Sequence, residues 1–167
     1  MAGKLTFGSQ LFVNLKNLME RQNLPQAFMN SLVNSVALSV LSLIVCSIAG
    51  YGFEIYHNKH KDRLMAVLLL AMMVPFVATL IPLFQMFTSV GLQSTWVAYV
   101  LPTISTPFLI MLFRQSARSF PLEIVEAARI DGLSEISIFI KIFVPTMRST
   151  YAAATTVTFM NAWNGYL

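Results

Sequence analysis

The chain has 167 residues, 56% of them hydrophobic and only 11% charged, which excludes a conventional water-soluble surface and makes the membrane the better class. Its formal net charge of +4 lies mostly in short basic loops beside apolar runs, as membrane topology demands, and is not read as a nucleic-acid-binding face. The single cysteine, Cys46, sits inside an apolar run. Neither a disulfide framework nor a cysteine-based metal site can form within the chain, and Cys46 is given a structural role.

No Asp, Glu, Lys or Arg occurs from Gln22 to Phe53, from Leu64 to Phe113, or from Ser149 to Leu167. These tracts hold about four spans, the last incomplete, and predict an all-α polytopic membrane protein. Residues 1–31 read as an extracytoplasmic or interfacial segment, and Met1 to Leu24 have no continuous apolar core of signal-peptide type. Phe7, Leu11, Leu15, Leu18 and Met19 recur there at helical spacing opposite Gln10, Asn14, Asn17 and Arg21. That pattern predicts a short amphipathic helix, either on a membrane surface or packed against another part of the same assembly.

The permease-like part is residues 32–167. Its first span is expected from Leu32 to Tyr56, with Asn30 and Ser31 at the entrance and Ser35, Ser39, Ser42 and Ala49 allowing close helix approach. The second is expected from Leu64 to Phe87, bent by Pro75 and Pro82. The loop His57-Asn58-Lys59-His60-Lys61-Asp62-Arg63 between them is basic, whereas residues 88–95 carry no charge. The positive-inside rule therefore puts the first loop in the cytoplasm. His57 and His60 read as solvated loop residues, and Glu54 as a snorkelling carboxylate or a proton-relay group. A third span, Trp96 to Phe113, is interrupted by Pro102 and Pro107.

The most charged segment, residues 114–148, returns to the cytoplasm by alternation and by its Arg and Lys content. Pro121 suits a first helical position, Glu123 a first turn, and Gly132 a left-handed closure, so a helix of about eleven residues is expected between them. Leu122, Val125, Ala128 (or Arg129) and Ile130 give it only a rough apolar face, narrowed by Ala127 and Ala128. Ser134 caps a second helix with Glu135 at its positive end, and Pro145 ends or bends it.

In this setting Glu126-Ala127-Ala128, three residues, Gly132, nine residues, then Ile142-Phe143-Val144-Pro145 resembles the signature loop of binding-protein-dependent ABC importer permeases. Val144 for the usual leucine is the one departure. Ser119-Phe120-Pro121, Ala128-Arg129-Ile130-Asp131-Gly132 and the run ending in Asn161-Ala162-Trp163-Asn164 resemble its carbohydrate-uptake branch, similar to the maltose-type second permease. That resemblance covers roughly residues 28–167.

The resemblance implies a six-span permease fold in a bacterial or archaeal cytoplasmic membrane, of which the first and last spans are expected to be absent. It implies a second permease subunit forming a heterodimer, two copies of a cytoplasmic ATPase, an extracytoplasmic solute-binding protein, and surrounding lipid. ATP and Mg would be used by the ATPase. The present chain has no Gly-rich phosphate loop, is not expected to be an enzyme, and needs no cofactor of its own. Leu122, Glu123, Val125, Glu126, Ala127, Ala128, Arg129, Asp131 and Gly132 would form the ATPase-coupling surface.

A substrate path would draw on Thr79, Gln85, Asn161, Trp163 and Asn164, although helix packing explains the last three as well. The methionines are scattered among the spans and read as packing. The functional reading is a subunit importing a mono- or oligosaccharide. Its alternatives are a permease for another solute class and a truncated, non-transporting membrane fragment.

Overall fold

The computed structural model describes residues 10–21 and 23–165 and is helical throughout its ordered elements. Phe7 of the expected amphipathic helix lies outside those residues. The rest of that stretch forms α1, Leu11–Arg21, on which Leu11, Phe12, Leu15, Leu18 and Met19 are all exposed.

Next comes α2, Leu24–Ile55. It begins earlier than the expected span because Asn23 accepts a hydrogen bond from the Gln26 N–H at 3.4 Å and Pro25 occupies the first turn. Asn30 and Ser31 therefore lie within the helix. At 32 residues it runs about 48 Å, more than the roughly 30 Å of a hydrocarbon core. Among the described residues it is the one uninterrupted helix long and apolar enough to cross a membrane.

The expected second span is two helices, α3 (Lys59–Ala71) and α4 (Phe76–Ser89), meeting at 97°. Pro75 does this: it disfavours helical geometry in the preceding residue and itself stands extended, at φ −66° and ψ 132°. Pro82 lies inside α4 without breaking it. The two prolines were expected to act alike, and they do not.

The expected third span is likewise divided, into α5 (Trp96–Val100) and α6 (Pro107–Ala117). Pro107 lacks the N–H that would have bonded the Thr103 carbonyl. A neighbouring helix supplies the replacement donor. The Ser42 hydroxyl of α2 donates to the Ile104 carbonyl at 2.8 Å and to the Thr103 carbonyl at 3.5 Å, and the Cys46 thiol leans on the same turn. A broken backbone in an apolar setting is tolerable when side chains satisfy it in this way.

The core sits where α2 packs against α6 and against α10 (Arg148–Trp163). Ser35, Ser39, Ser42, Cys46 and Gly50 form a buried stripe of small residues along α2, and such stripes let helices approach closely. Approach is tightest at Gly50, where a Cβ would lie 2.5 Å from the Phe113 Cβ and 2.9 Å from the Arg114 backbone nitrogen.

Between α6 and α10 come α7 (Leu122–Ile130), α8 (Glu135–Ile138), a π-helical turn over Phe139–Phe143, and α9 (Val144–Thr146). The wider π turn precedes Pro145, which has no N–H to bond the carbonyl four residues back and whose ring crowds that carbonyl.

Candidate coupling site

α7 follows Pro121 and ends at Asp131. Its exit is tightly specified. The Leu133 N–H donates to the Ala128 carbonyl and the Gly132 N–H to the Arg129 carbonyl, both at 3.0 Å, around Gly132 at φ +81°. This pair of bonds is a Schellman closure, which requires a left-handed residue at that position. Ser134 then caps α8 by accepting from the Ser137 N–H at 3.3 Å.

Val125 and Ala128 are buried in a cluster with Phe120, Ile138 and Phe143. That corrects the expectation of one apolar face running through Leu122, Val125, Ala128 and Ile130. Val125 and Ala128, three residues apart, share the inner face, while Leu122 is half exposed and Ile130 is 86% exposed. Glu123, Glu126, Ala127, Asp131 and Gly132 are also exposed. Among the described residues Glu126 has no hydrogen-bond or ion-pair partner. An open groove of about 390 Å³ runs beside the helix, lined by Glu123, Ile124, Ala127, Ala128, Asp131, Leu133 and Ile142.

Arg129 is occupied within the chain. Its Nε donates to Glu135 Oε1 at 2.6 Å, and its guanidinium stands 5.6 Å from the Tyr56 ring centroid. The Arg129 contact first, and the Tyr56 hydroxyl second, hold the Glu135 carboxyl below its ordinary value of 4.5. A depressed carboxylate pKa contributes stability that is present above the ordinary value and is lost as pH falls through the lowered one. Amide protection in the 129–135 turn, the exchange rate corrected for its intrinsic pH dependence, should thus hold steady as pH falls from 7 to 5 and drop well below 4.5. An Arg129→Gln variant, lacking the pair, should exchange faster even at neutral pH.

A second charged group joins the ends of three helices. Arg114, 4% exposed at the end of α6, donates to Glu54 at 3.2 Å and to Asp62 at 2.6 Å, joining α6 to α2 and α3. Arg118 reaches Glu54 at 3.6 Å, and His57 reaches Asp62 at 2.9 Å. Glu54, expected as a snorkelling carboxylate or a proton-relay group, is an ion-pair partner of Arg114 and Arg118. Arg114 was missed because only the fold brings it to Glu54. The available clue was a basic residue and an acidic residue at same-side ends of two apolar tracts.

Arg114→Met should cost about 2–3 kcal/mol, the scale of charge-assisted hydrogen bonds lost from a half-buried partner, and lower the thermal transition in detergent. Arg114→Lys should recover only part of it, since one ammonium cannot fork between two carboxylates.

The expected substrate-path residues lie on α4 and at the end of α10. Thr79 and Gln85 are on α4, and the Thr79 hydroxyl donates to the Phe76 carbonyl at 2.7 Å. Asn161 is exposed near the end of α10. Trp163 packs on Phe159 and edge-on to Phe28, and the Asn164 amide donates to the Met160 carbonyl at 2.8 Å.

Residues 42–167 match the model of the binding-protein-dependent transport system inner membrane component, and the chain belongs to that family. It is 46% identical over 165 residues to the lactose transport system permease protein LacG of Rhizobium radiobacter, covering 99% of this chain and 60% of that protein. With the arabinooligosaccharides transport system permease protein AraQ of Halalkalibacterium halodurans it shares 38% identity over 140 residues, 84% of this chain and 50% of the other. With the sn-glycerol-3-phosphate transport system permease protein UgpE of Pectobacterium atrosepticum it shares 26% over 166 residues, 96% of this chain and 59% of the other. The chain therefore spans 60% or less of the length of these relatives.

Proposed function

We propose that this chain forms part of the permease subunit of an ATP-driven importer for a mono- or oligosaccharide. The observation that carries the reading is the exposed Glu126-Ala127 face of α7, closed by the Gly132 turn and joined at both ends to apolar helices. An acidic group beside a small residue suits close docking into a cleft with a basic side chain, because the charge-assisted bond is strong and no bulk stands in the way.

In this reading α7 is the coupling helix of a cytoplasmic loop, residues 114–148, and sits in a cytoplasmic ATPase. Glu126 makes the ionic contact, Ala127 permits approach, Glu123 and Asp131 border the groove, and Leu122 adds a half-exposed apolar contact. Val125 and Ala128 are its packed base. ATP, with Mg, is bound and hydrolysed by two copies of that partner. An extracytoplasmic binding protein delivers the solute, and a second permease subunit completes the pathway across a bacterial or archaeal inner membrane. Closure of the ATPase pulls α7, and α6 and α10, on either side of it, carry the displacement into the spans. ATP then shifts the permease between inward- and outward-open states to the extent that the docked ATPase binds them unequally.

The carbohydrate cargo rests on likeness to proteins named for lactose and arabinooligosaccharide transport. A second reading, a polyol phosphate as cargo, is favoured by the more distant UgpE likeness. Uptake of labelled disaccharides, sn-glycerol-3-phosphate and amino acids by cells carrying the full-length gene and its partners separates them. Disaccharide uptake with ATPase copurification is expected. Uptake of none of the three, with no ATPase recovered, would leave the chain a non-transporting membrane fragment.

A further inference from the structure

The last turn of α7, the first turn of α3 and the end of α2 meet at one aromatic ring. Tyr56 terminates α2 with a non-helical backbone, φ −105° and ψ 42°, beyond the last turn of the span. Over its ring stand the Lys61 ammonium, 5.1 Å from the centroid, and the Arg129 guanidinium, 5.6 Å from it. Both distances are within the reach of cation–π attraction.

Each cation is also fixed from behind. Lys61 Nζ donates to the Gly52 carbonyl at 2.9 Å, and Arg129 Nε to Glu135 Oε1 at 2.6 Å. Within α2, Tyr56 meets Tyr51 edge-on at 6.4 Å, and Tyr51 packs against Phe139 and Phe143 at 5.3 and 4.8 Å. Two rings of α2 thus grip both the coupling helix and the π-helical turn that follows it.

We propose that Tyr56 is a positioning residue for energy coupling, a joint by which movement of α7 reaches α2 directly through Arg129. The proposal rests on the coupling role given to α7 above. It also gives Arg129 a different task from its neighbours: Glu126 faces outward, whereas Arg129 faces the permease itself.

The test uses the full-length permease assembled with its ATPase and binding protein in proteoliposomes, and reads solute imported per ATP hydrolysed. A merely structural defect lowers both rates together and leaves that ratio unchanged. Tyr56→Leu should lower it about five- to tenfold, the usual range of an inter-site coupling, with the ATPase still bound. Tyr56→Phe and Tyr56→Trp keep a ring face and should restore it. Arg129→Gln should match Tyr56→Leu in this ratio, and the double variant should be no worse than either, because the Arg129–Tyr56 contact that carries the coupling is already lost in each.

An unchanged ratio in both single variants, or additive losses in the double, would overturn the joint. Should Tyr56→Leu fail to accumulate, Arg129→Gln decides alone, being a change at an exposed side chain. A wild-type assembly that binds no ATPase would overturn the coupling reading, and the joint with it.

Discussion

Gly132→Val should abolish most solute uptake while leaving the permease folded. A Cβ at Gly132 meets nothing within 4 Å, so the side chain has room. The penalty is in the backbone: φ is +81°, where an L-residue pays roughly 1–2 kcal/mol and a β-branched one is a genuine outlier. The chain escapes by turning that residue to negative φ, which breaks the two hydrogen bonds closing α7 at Ala128 and Arg129. The helix then leaves at a different angle, and Glu126 and Ala127 no longer face their partner.

Because the change is local, expression and thermal stability should fall little, and uptake should fall at least about tenfold, an ordinary coupling free energy. Gly132→Asn should retain most activity, since asparagine is the other residue commonly accepted at this closure. Normal uptake and normal ATPase stimulation in Gly132→Val would remove the turn from the coupling mechanism.

Gly50→Val should fail differently, by unfolding the helix pair itself. The added Cβ would lie 2.5 Å from the Phe113 Cβ, 2.9 Å from the Arg114 nitrogen and 3.1 Å from the Ile110 carbonyl oxygen. Two of these are backbone atoms and the third is bonded directly to it, so no flexible side chain can swing away. α2 and α6 must separate, which opens the packing around Cys46 and Phe113 and displaces Arg114 from Glu54.

Overpacking of this kind costs about 1–3 kcal/mol even for small additions, so Gly50→Ala should lower the thermal transition and Gly50→Val should prevent accumulation of folded protein. Gly52, two residues along the same helix, has nothing within 4 Å of its Cβ position. Gly52→Ala should therefore be neutral, or stabilising by about 0.5–1 kcal/mol through helix propensity. Equal behaviour of the two alanine variants would contradict the close crossing.

How far these features were legible before the fold varied with the range of the interaction behind them. Local rules served α7 in part: Glu123 in its first turn and glycine after it are chemistry within one segment, whereas Pro121, expected at the first helical position, stands extended just before the helix, at φ −65° and ψ 120°. They served for Ser134 as the cap of α8. The uncharged tracts located the apolar helices because exclusion of charge from lipid is a property of each stretch separately.

Pro75 and Pro82 show where such rules stop. Their local chemistry is the same, yet one divides a helix and the other is carried within it. The start of α2 was misjudged because hydropathy marks the apolar stretch, whereas Asn23 and Pro25 determine where helical hydrogen bonding begins. The Arg114–Glu54–Asp62 group, the Ser42 contact with the broken turn before α6, and the Tyr56 ring between two cations all join residues far apart in sequence. None has a signature in one sequence read alone. The substrate path stayed illegible for the same reason: a polar residue on a helix looks alike whether it meets a solute, a neighbouring helix or its own backbone.

The central claim is that α7 docks against an ATPase through its Ala127 face, and site-directed cross-linking tests it most directly. Cys46 is the chain's only cysteine and is fully buried, so Ala127→Cys adds a single accessible thiol. In membranes containing the complete transport system, a short thiol-to-amine reagent should join Ala127→Cys to the ATPase subunit, and the yield should change when ATP is trapped. Asn58→Cys, exposed on the neighbouring loop, should give much less. Cross-linking of Ala127→Cys to the ATPase no stronger than that of Asn58→Cys would contradict the account.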